Sequence, residues 1–243
     1  MKKIFLVLAG FMLYLVSPAE THRTDSVAVM ILNHMADVIG DLNSCSFKVT
    51  ASIDVADHDL GIIKQSESDK VILVGPNKML VDANGDKGHR GYWYNGSQLF
   101  YYSFAENNFA RIDAPADILS TVAAVNSNYG IDFPAADFFY PTFTDDIIRQ
   151  FDTVAYLGTK VVEGQECFHI LVANKEQTVQ FWISNDAYFL PKKFVITYKN
   201  LGNTQYEATF NDWSLNAEIP NSVFEFVPPP SAAEITLLPL TNQ

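Results

Sequence analysis

The stretch VAYLGTKVVEGQECFHILV (154–172), followed by TVQFWIS (178–184), LPKKFVITYK (190–199), TQYEATFNDW (204–213) and FEFVPPP (224–230), decides the fold. Four strand-like runs follow one another with short polar breaks, each dense in aromatic and β-branched residues. That composition suits a half-buried pleated surface. No run carries the spacing of a catalytic or metal motif, so the region reads as an antiparallel sheet serving as scaffold or container.

Outward from that block, the N-terminus sets the compartment. Lys2 and Lys3 precede an uncharged apolar run, Ile4 to Val16, and then Ser17-Pro18-Ala19. A basic start, a short apolar run and small residues at −3 and −1 make a secretory signal over residues 1–19, with cleavage expected between Ala19 and Glu20. The run has 13 residues, well short of the roughly 20 that span a bilayer. No Cys follows it, which argues against a lipid-anchored start. Cleavage leaves residues 20–243 with 14 basic and 28 acidic side chains, a net charge of −14. Such a chain has no electrostatic footprint for nucleic acid and is repelled by anionic membrane surfaces. No Gly/Ser or charged linker divides it, so one domain is expected. Cys45 and Cys167 lie in a compartment where a disulfide can persist, yet each also sits in an apolar strand pattern that suits a buried thiol.

Further upstream, Asp25 or Ser26 caps a helix running to about Asp41, with Val27, Ile31, Met35, Val38 and Leu42 as its apolar stripe and His34 packing beside it. Strands are expected over Ser46–Val55, Gly61–Val74 and Lys78–Ala83. In Tyr92-Trp93-Tyr94-Asn95-Gly96-Ser97-Gln98-Leu99, Asn-Gly suits a type I′ hairpin turn that pairs Tyr92 with Leu99 and puts Trp93 and Phe100 on the opposite face. Both faces are apolar there, which predicts a sheet covered on both sides. A helix is expected from Pro115 to about Asn126, and a brief one over Asp145–Phe151. Between them lies a proline-bracketed apolar segment, Phe133-Pro134 to Tyr140-Pro141. These roughly 40 residues either lie across the sheet as a lid or plug the core at one end.

The pieces Gly158, Val161-Val162-Glu163-Gly164, Cys167-Phe168-His169, Gln180-Phe181-Trp182-Ile183, Leu190-Pro191-Lys192-Lys193, Val195–Lys199, Gln205-Tyr206, Asp212-Trp213 and Phe226–Pro229 resemble a family of uncharacterised predicted periplasmic bacterial proteins. Tyr129-Gly130-Ile131-Asp132 and the Tyr-Asn-Gly hairpin fit it as well. That family is similar to the LolA/LolB-like superfamily of lipoprotein carriers. The resemblance implies a mainly β fold with a few helices: an open antiparallel half-barrel of about 10–11 strands, with helices covering the concave side and an apolar cavity between. Uses of that fold include shuttling lipid-modified proteins, carrying lipids and sensing envelope stress. No carrier residues map onto particular positions here.

Candidate chemistry is sparse. Cys167 and His169 share a strand face, as a nucleophilic pair or zinc site would require, but no further His or Cys lies nearby and packing explains them better. Asp82-Ala83-Asn84-Gly85-Asp86 has alternating acids, yet lacks the Gly and Glu of a calcium loop and reads as a polar hairpin. Tyr140, Tyr188, Trp182 and Trp213 are candidate cavity aromatics, and Lys192-Lys193 is a candidate strand-edge charge pair. The expectation is a non-catalytic periplasmic protein, without cofactor or metal, that binds a hydrophobic small molecule or lipid-modified protein in the half-barrel. Phe138, Phe139 and Tyr140 are its expected cover. The alternative is a protein-interaction or envelope-sensing module with a filled core.

Overall fold

The computed structural model describes residues 23–133 and 136–240. The expected leader and its Ala19–Glu20 junction lie outside the described residues, as does Pro134. Helix α1 (Ser26–Gly40) is capped by Asp25, whose carboxylate accepts the Val27 N–H at 2.8 Å. Its buried face is Ala28, Ile31, Leu32, Met35 and Ile39, rotated from the expected stripe. Val27 is exposed and Val38 only half-buried, while His34 lies at the surface against the Phe189 ring, 4.2 Å away.

One sheet follows, built from β2 (Ser44–Asp57), β3 (Gly61–Val74), β4 (Lys78–Gly85), β5 (Gly88–Tyr94), β6 (Gln98–Ser103), β7 (Asn108–Asp113), β8 (Thr153–Val162), β9 (Gln165–Ala173), β10 (Gln177–Ser184), β11 (Pro191–Tyr198) and β12 (Thr204–Leu215). The two-residue strands β1 (Arg23–Thr24) and β13 (Ala233–Glu234) add to its ends in parallel. The spatial order is β1-β8-β9-β10-β11-β12-β2-β3-β4-β5-β6-β7-β13, all other neighbours being antiparallel, and the two ends do not meet. The sheet is therefore open, and β2–β12 make eleven long strands, within the 10–11 that the resemblance implied. The first quoted run, 154–172, is itself a hairpin: Val162 pairs with Gln165, and Glu163 and Gly164 both take the positive φ of a type I′ turn. That turn raises the C-terminal block to five strands.

The Tyr92–Leu99 hairpin turns one residue later than expected, which moves each cross-strand partner by two. Tyr94 faces Leu99 and Tyr92 faces Tyr101, because Gly96 and Ser97, not Asn95 and Gly96, form the loop. The Asn95 carboxamide oxygen stays below the turn, accepting the backbone N–H groups of Ser97 and Gln98. A shift of two residues leaves every side chain on its original face. Trp93 and Phe100 thus point away from the helices, and the C-terminal tail covers them: Phe226 contacts the rings of Trp93, Phe100, Tyr102 and Phe109.

On the inner face, register rows run across many strands. Ile170, Phe181, Phe194, Ala208 and Ala51 form one such row, and Phe210 and Val49 belong to the next. A bulge between Asn211 and Ser214, with Asp212 at φ 56°, turns Trp213 onto Phe47, ring centroids 4.3 Å apart. Against this face pack α1, helix α2 (Ile118–Tyr129), a 3-10 turn (Ala136–Phe139) and helix α3 (Phe143–Gln150). Helix α2 starts three residues after Pro115. Asp117 caps it through the Ser120 N–H, while the Pro115 carbonyl accepts from the hydroxyls of Tyr94 and Thr121. It ends at Gly130 in the left-handed conformation. The middle segment therefore supplies core side chains and covers the sheet together.

Cys45 and Cys167 are buried free thiols in different surroundings: Cys45 belongs to the inner core, Cys167 to the opposite face of β9. They form no disulfide. Lys192 and Lys193 lie on β11, an interior strand, not at an edge. Lys192 meets Glu163 and Lys193 meets Glu207, each at 2.8 Å.

Candidate functional site

Between the inner faces of β2–β5, β11 and β12 and the covering α2 and Ala136–Tyr140 lies a cavity of about 990 Å³. That is the upper end of the range for small-molecule pockets. The sheet contributes Cys45, Phe47, Val49, Ala51, Val71, Leu73, Met79, Val81, Ala83, Phe194 and Ile196. The cover contributes Ile118, Leu119, Val122, Phe139 and Tyr140. Burial pushes the Cys45 thiol up to about 12, so at neutral pH it is a small apolar wall group, not a nucleophile.

At one end the lining changes character on the same sheet face. The row through Phe194, Ala208 and Ala51 runs into Glu67, and the row through Phe210 and Val49 runs into Asp69, Ala83 and Arg90. Arg90 Nη2 donates to Glu67 Oε2 at 2.6 Å. Asp69 Oδ1 and Arg90 Nε are both buried without a hydrogen-bond partner in the protein. Burial first, then the neighbouring Glu67 carboxylate, pushes the Asp69 carboxyl up to about 7 against the pull of Arg90. Burial also raises Tyr92, to about 12, and Tyr206. Glu67 is held by a close approach of strands: a Cβ added at Gly85 would meet Ser66 O at 2.3 Å and Glu67 Cα at 2.7 Å.

The expected cover residues separate. Phe139 and Tyr140 line the cavity; Phe139 lies over Phe47, and the Tyr140 hydroxyl reaches the Leu119 carbonyl at 3.4 Å. Phe138 instead is 4 % exposed, in ring contact with Phe143, Phe181, Phe194 and Phe210. It belongs to a core wall beside a second, smaller space of about 240 Å³ under α3. Of the other candidate aromatics, Trp213 is inner core, Trp182 lies on the outer face and Tyr188 is exposed.

His169 and Cys167 share the outer face of β9. The His169 ring stacks on Trp182 at 4.5 Å and its Nε2 meets Gln180 Oε1 at 3.0 Å. Burial lowers its pKa, which favours the neutral ring. Asp82 runs along β4 to His89, 2.6 Å away, and Asp86 Oδ2 accepts the Ser66 N–H, so the Asp82–Asp86 acids do not converge. Among the described residues, no group of three or more His, Cys, Asp and Glu side chains is placed to hold a metal ion. No helix among them is long and apolar enough to cross a membrane.

Glu67, Asp69 and Arg90 escaped the sequence reading, because QSESDK (65–70) is polar at every position and looks like a solvated strand. The available signal was phase: Glu67 and Asp69 share the side of β3 that carries Val71 and Leu73.

A family profile described as "Predicted periplasmic protein (DUF2092)" matches residues 28–238. The chain belongs to this family of predicted periplasmic proteins. Among solved structures it is similar to an uncharacterised conserved protein from Thermus thermophilus, with TM-score 0.51 and 9 % identity over 86 % of this chain and 99 % of that one. It is also similar to the lipoprotein LppX of Mycobacterium tuberculosis, at TM-score 0.47 and 15 % identity over 81 % and 99 %. A LolA superfamily protein from Nitrosomonas europaea aligns at TM-score 0.40 and 12 % identity over 82 % and 97 %. A comparison with curated proteins found no match.

Proposed function

We propose that this periplasmic protein is a non-catalytic carrier that holds a hydrophobic ligand in the cavity between sheet and helices. The ligand is a lipid, a free acyl chain or the acyl group of a lipid-modified protein. The observation that carries the reading is the cavity itself: about 990 Å³, walled along the sheet mainly by aliphatic and aromatic side chains. Each methylene moved from water into such a space gains about 0.8 kcal/mol. A twelve-carbon chain therefore offers roughly 9 kcal/mol before ordering costs, compatible with micromolar binding. Phe139 and Tyr140 form the part of the cover that touches the ligand. An interaction module would have filled this volume with its own side chains, so the cavity favours a carrier.

Organic extraction and mass spectrometry of protein purified from its native periplasm test the reading. Acyl-bearing molecules are expected in near-stoichiometric amount, and Ala51→Trp, which fills the cavity from β2, is expected to displace them while the protein stays folded. A folded native protein with neither bound amphiphile nor saturable uptake of an acyl probe would overturn it.

A further inference from the structure

The cavity carries apolar side chains along most of the sheet but ends on charged groups of β3 and β5, the two strands that flank β4, and a lipid lying in it must present its head somewhere. We infer that Glu67, Asp69 and Arg90 form the head-group end of the cavity and select uncharged heads that both donate and accept hydrogen bonds, such as glyceride hydroxyls or an amide, over carboxylate heads. The inference rests on the carrier reading above.

The atoms decide the chemistry. Arg90 spends Nη2 on Glu67, leaving its Nε–H buried without an acceptor, while Asp69 Oδ1 is buried without a donor. A head satisfying both must accept from Arg90 and donate to Asp69, which a hydroxyl or amide does at little cost. An ammonium head offers donors only and leaves the guanidinium N–H unmet. A carboxylate offers acceptors only and brings negative charge against Glu67 and Asp69. Asp86, Asp117, Asp132 and Asp137 also line the cavity, against Lys87 and Arg90 as its bases, so the surrounding field opposes an anion as well. The raised pKa of Asp69 adds a signature: as its carboxyl ionises near neutrality, a bound carboxylate is repelled while a hydroxyl head keeps both bonds. The groups bearing on that titration are Glu67, Asp82, Arg90, Tyr92 and Tyr206.

The test compares two twelve-carbon ligands, 1-monolauroylglycerol and laurate, by calorimetry on the delipidated native protein at pH 6, 7 and 8. Laurate is ionised throughout that range. Monolauroylglycerol is expected to bind about tenfold tighter at pH 8, a difference of about 1.4 kcal/mol, with the gap narrowing at pH 6. Asp69→Asn, nearly isosteric, is expected to bind both and flatten the pH dependence. Equal affinities at pH 8, tighter binding of laurate, or tighter binding of dodecylammonium than of monolauroylglycerol would overturn the inference and leave the carrier reading standing. If neither lauroyl ligand binds saturably, the carrier reading falls and this one with it.

Discussion

Phe226 lies against Trp93 with ring centroids 5.0 Å apart, although the two stand 133 positions apart in the chain. The contact fastens the tail over the outer face of β5–β7, where Trp93, Phe100 and Phe109 would otherwise meet water. The neighbouring Phe224 is fully buried. The FEFVPPP segment is thus a strap over the outer face of β5–β7. Phe226→Ala should cost about 2 kcal/mol from lost area and ring contacts, since the ring is only partly buried. Limited proteolysis should then cut within residues 216–240 while the remaining sheet survives. A tail that stays protected would show that other contacts hold it.

Phe138 and Phe139 are adjacent but separable. Phe138→Ala removes a ring from the aromatic wall and should cost about 3–5 kcal/mol in urea unfolding. Phe139→Ala, on the cavity side, should cost clearly less and chiefly weaken acyl-ligand binding. Similar stability losses for both would remove the distinction between wall and cover.

Asp69 predicts a direction for stability against pH. Its folded pKa, about 7, lies above the roughly 3.9 of an unfolded aspartate. The folded state therefore holds the proton more tightly, and the stabilisation present at low pH is lost as pH rises through about 7. Thermal melts from pH 5 to 8 should show Asp69→Asn gaining on the native protein as pH increases. A difference that is flat, or that shrinks toward pH 8, would mean the carboxyl is solvated and unperturbed.

Gly85 offers a mechanical test of the charged trio. A side chain there collides with backbone at Ser66 and Glu67, so β3 or β4 must move. Gly85→Ala should destabilise the protein by about 1–3 kcal/mol. It should also disturb Glu67–Arg90, read as a shift in the Asp69 titration followed by carboxyl-resolved NMR. An unchanged titration would show that the strands adjust without moving Glu67.

Export predicts a mature N-terminus at Glu20, or within a few residues of it. Intact mass of the periplasmic protein checks this, and a chain retaining Met1 would refute it.

What the residues determine alone is what alternation and turn chemistry encode locally. The strands β2–β6 and β10–β12, the Asp25 cap and the two apolar faces at Trp93 were legible, because period-two burial and capping depend on near neighbours, whereas β7 was not picked out and β8 and β9 read as one run. Hairpin register was less so: Asn95-Gly96 and Gly96-Ser97 are both competent turns, and hydrogen bonding to the Asn95 side chain selects the second. The stripe expected on α1 was rotated, and contact with the core chose Leu32 and Ile39 over Val27. Only the tertiary structure could decide which polar residues are inside. Glu67 and Asp69 look solvated in QSESDK, and Arg90 stands twenty-one positions past Asp69 in an unremarkable HRGY. Pairing β3 with β4 and β4 with β5 brings the three onto one inner face. Burial of a charge depends on what surrounds it, and Glu67, Asp69 and Arg90 share one cavity lining with α2 and Ala136–Tyr140, segments remote in the chain whose packing no local pattern records.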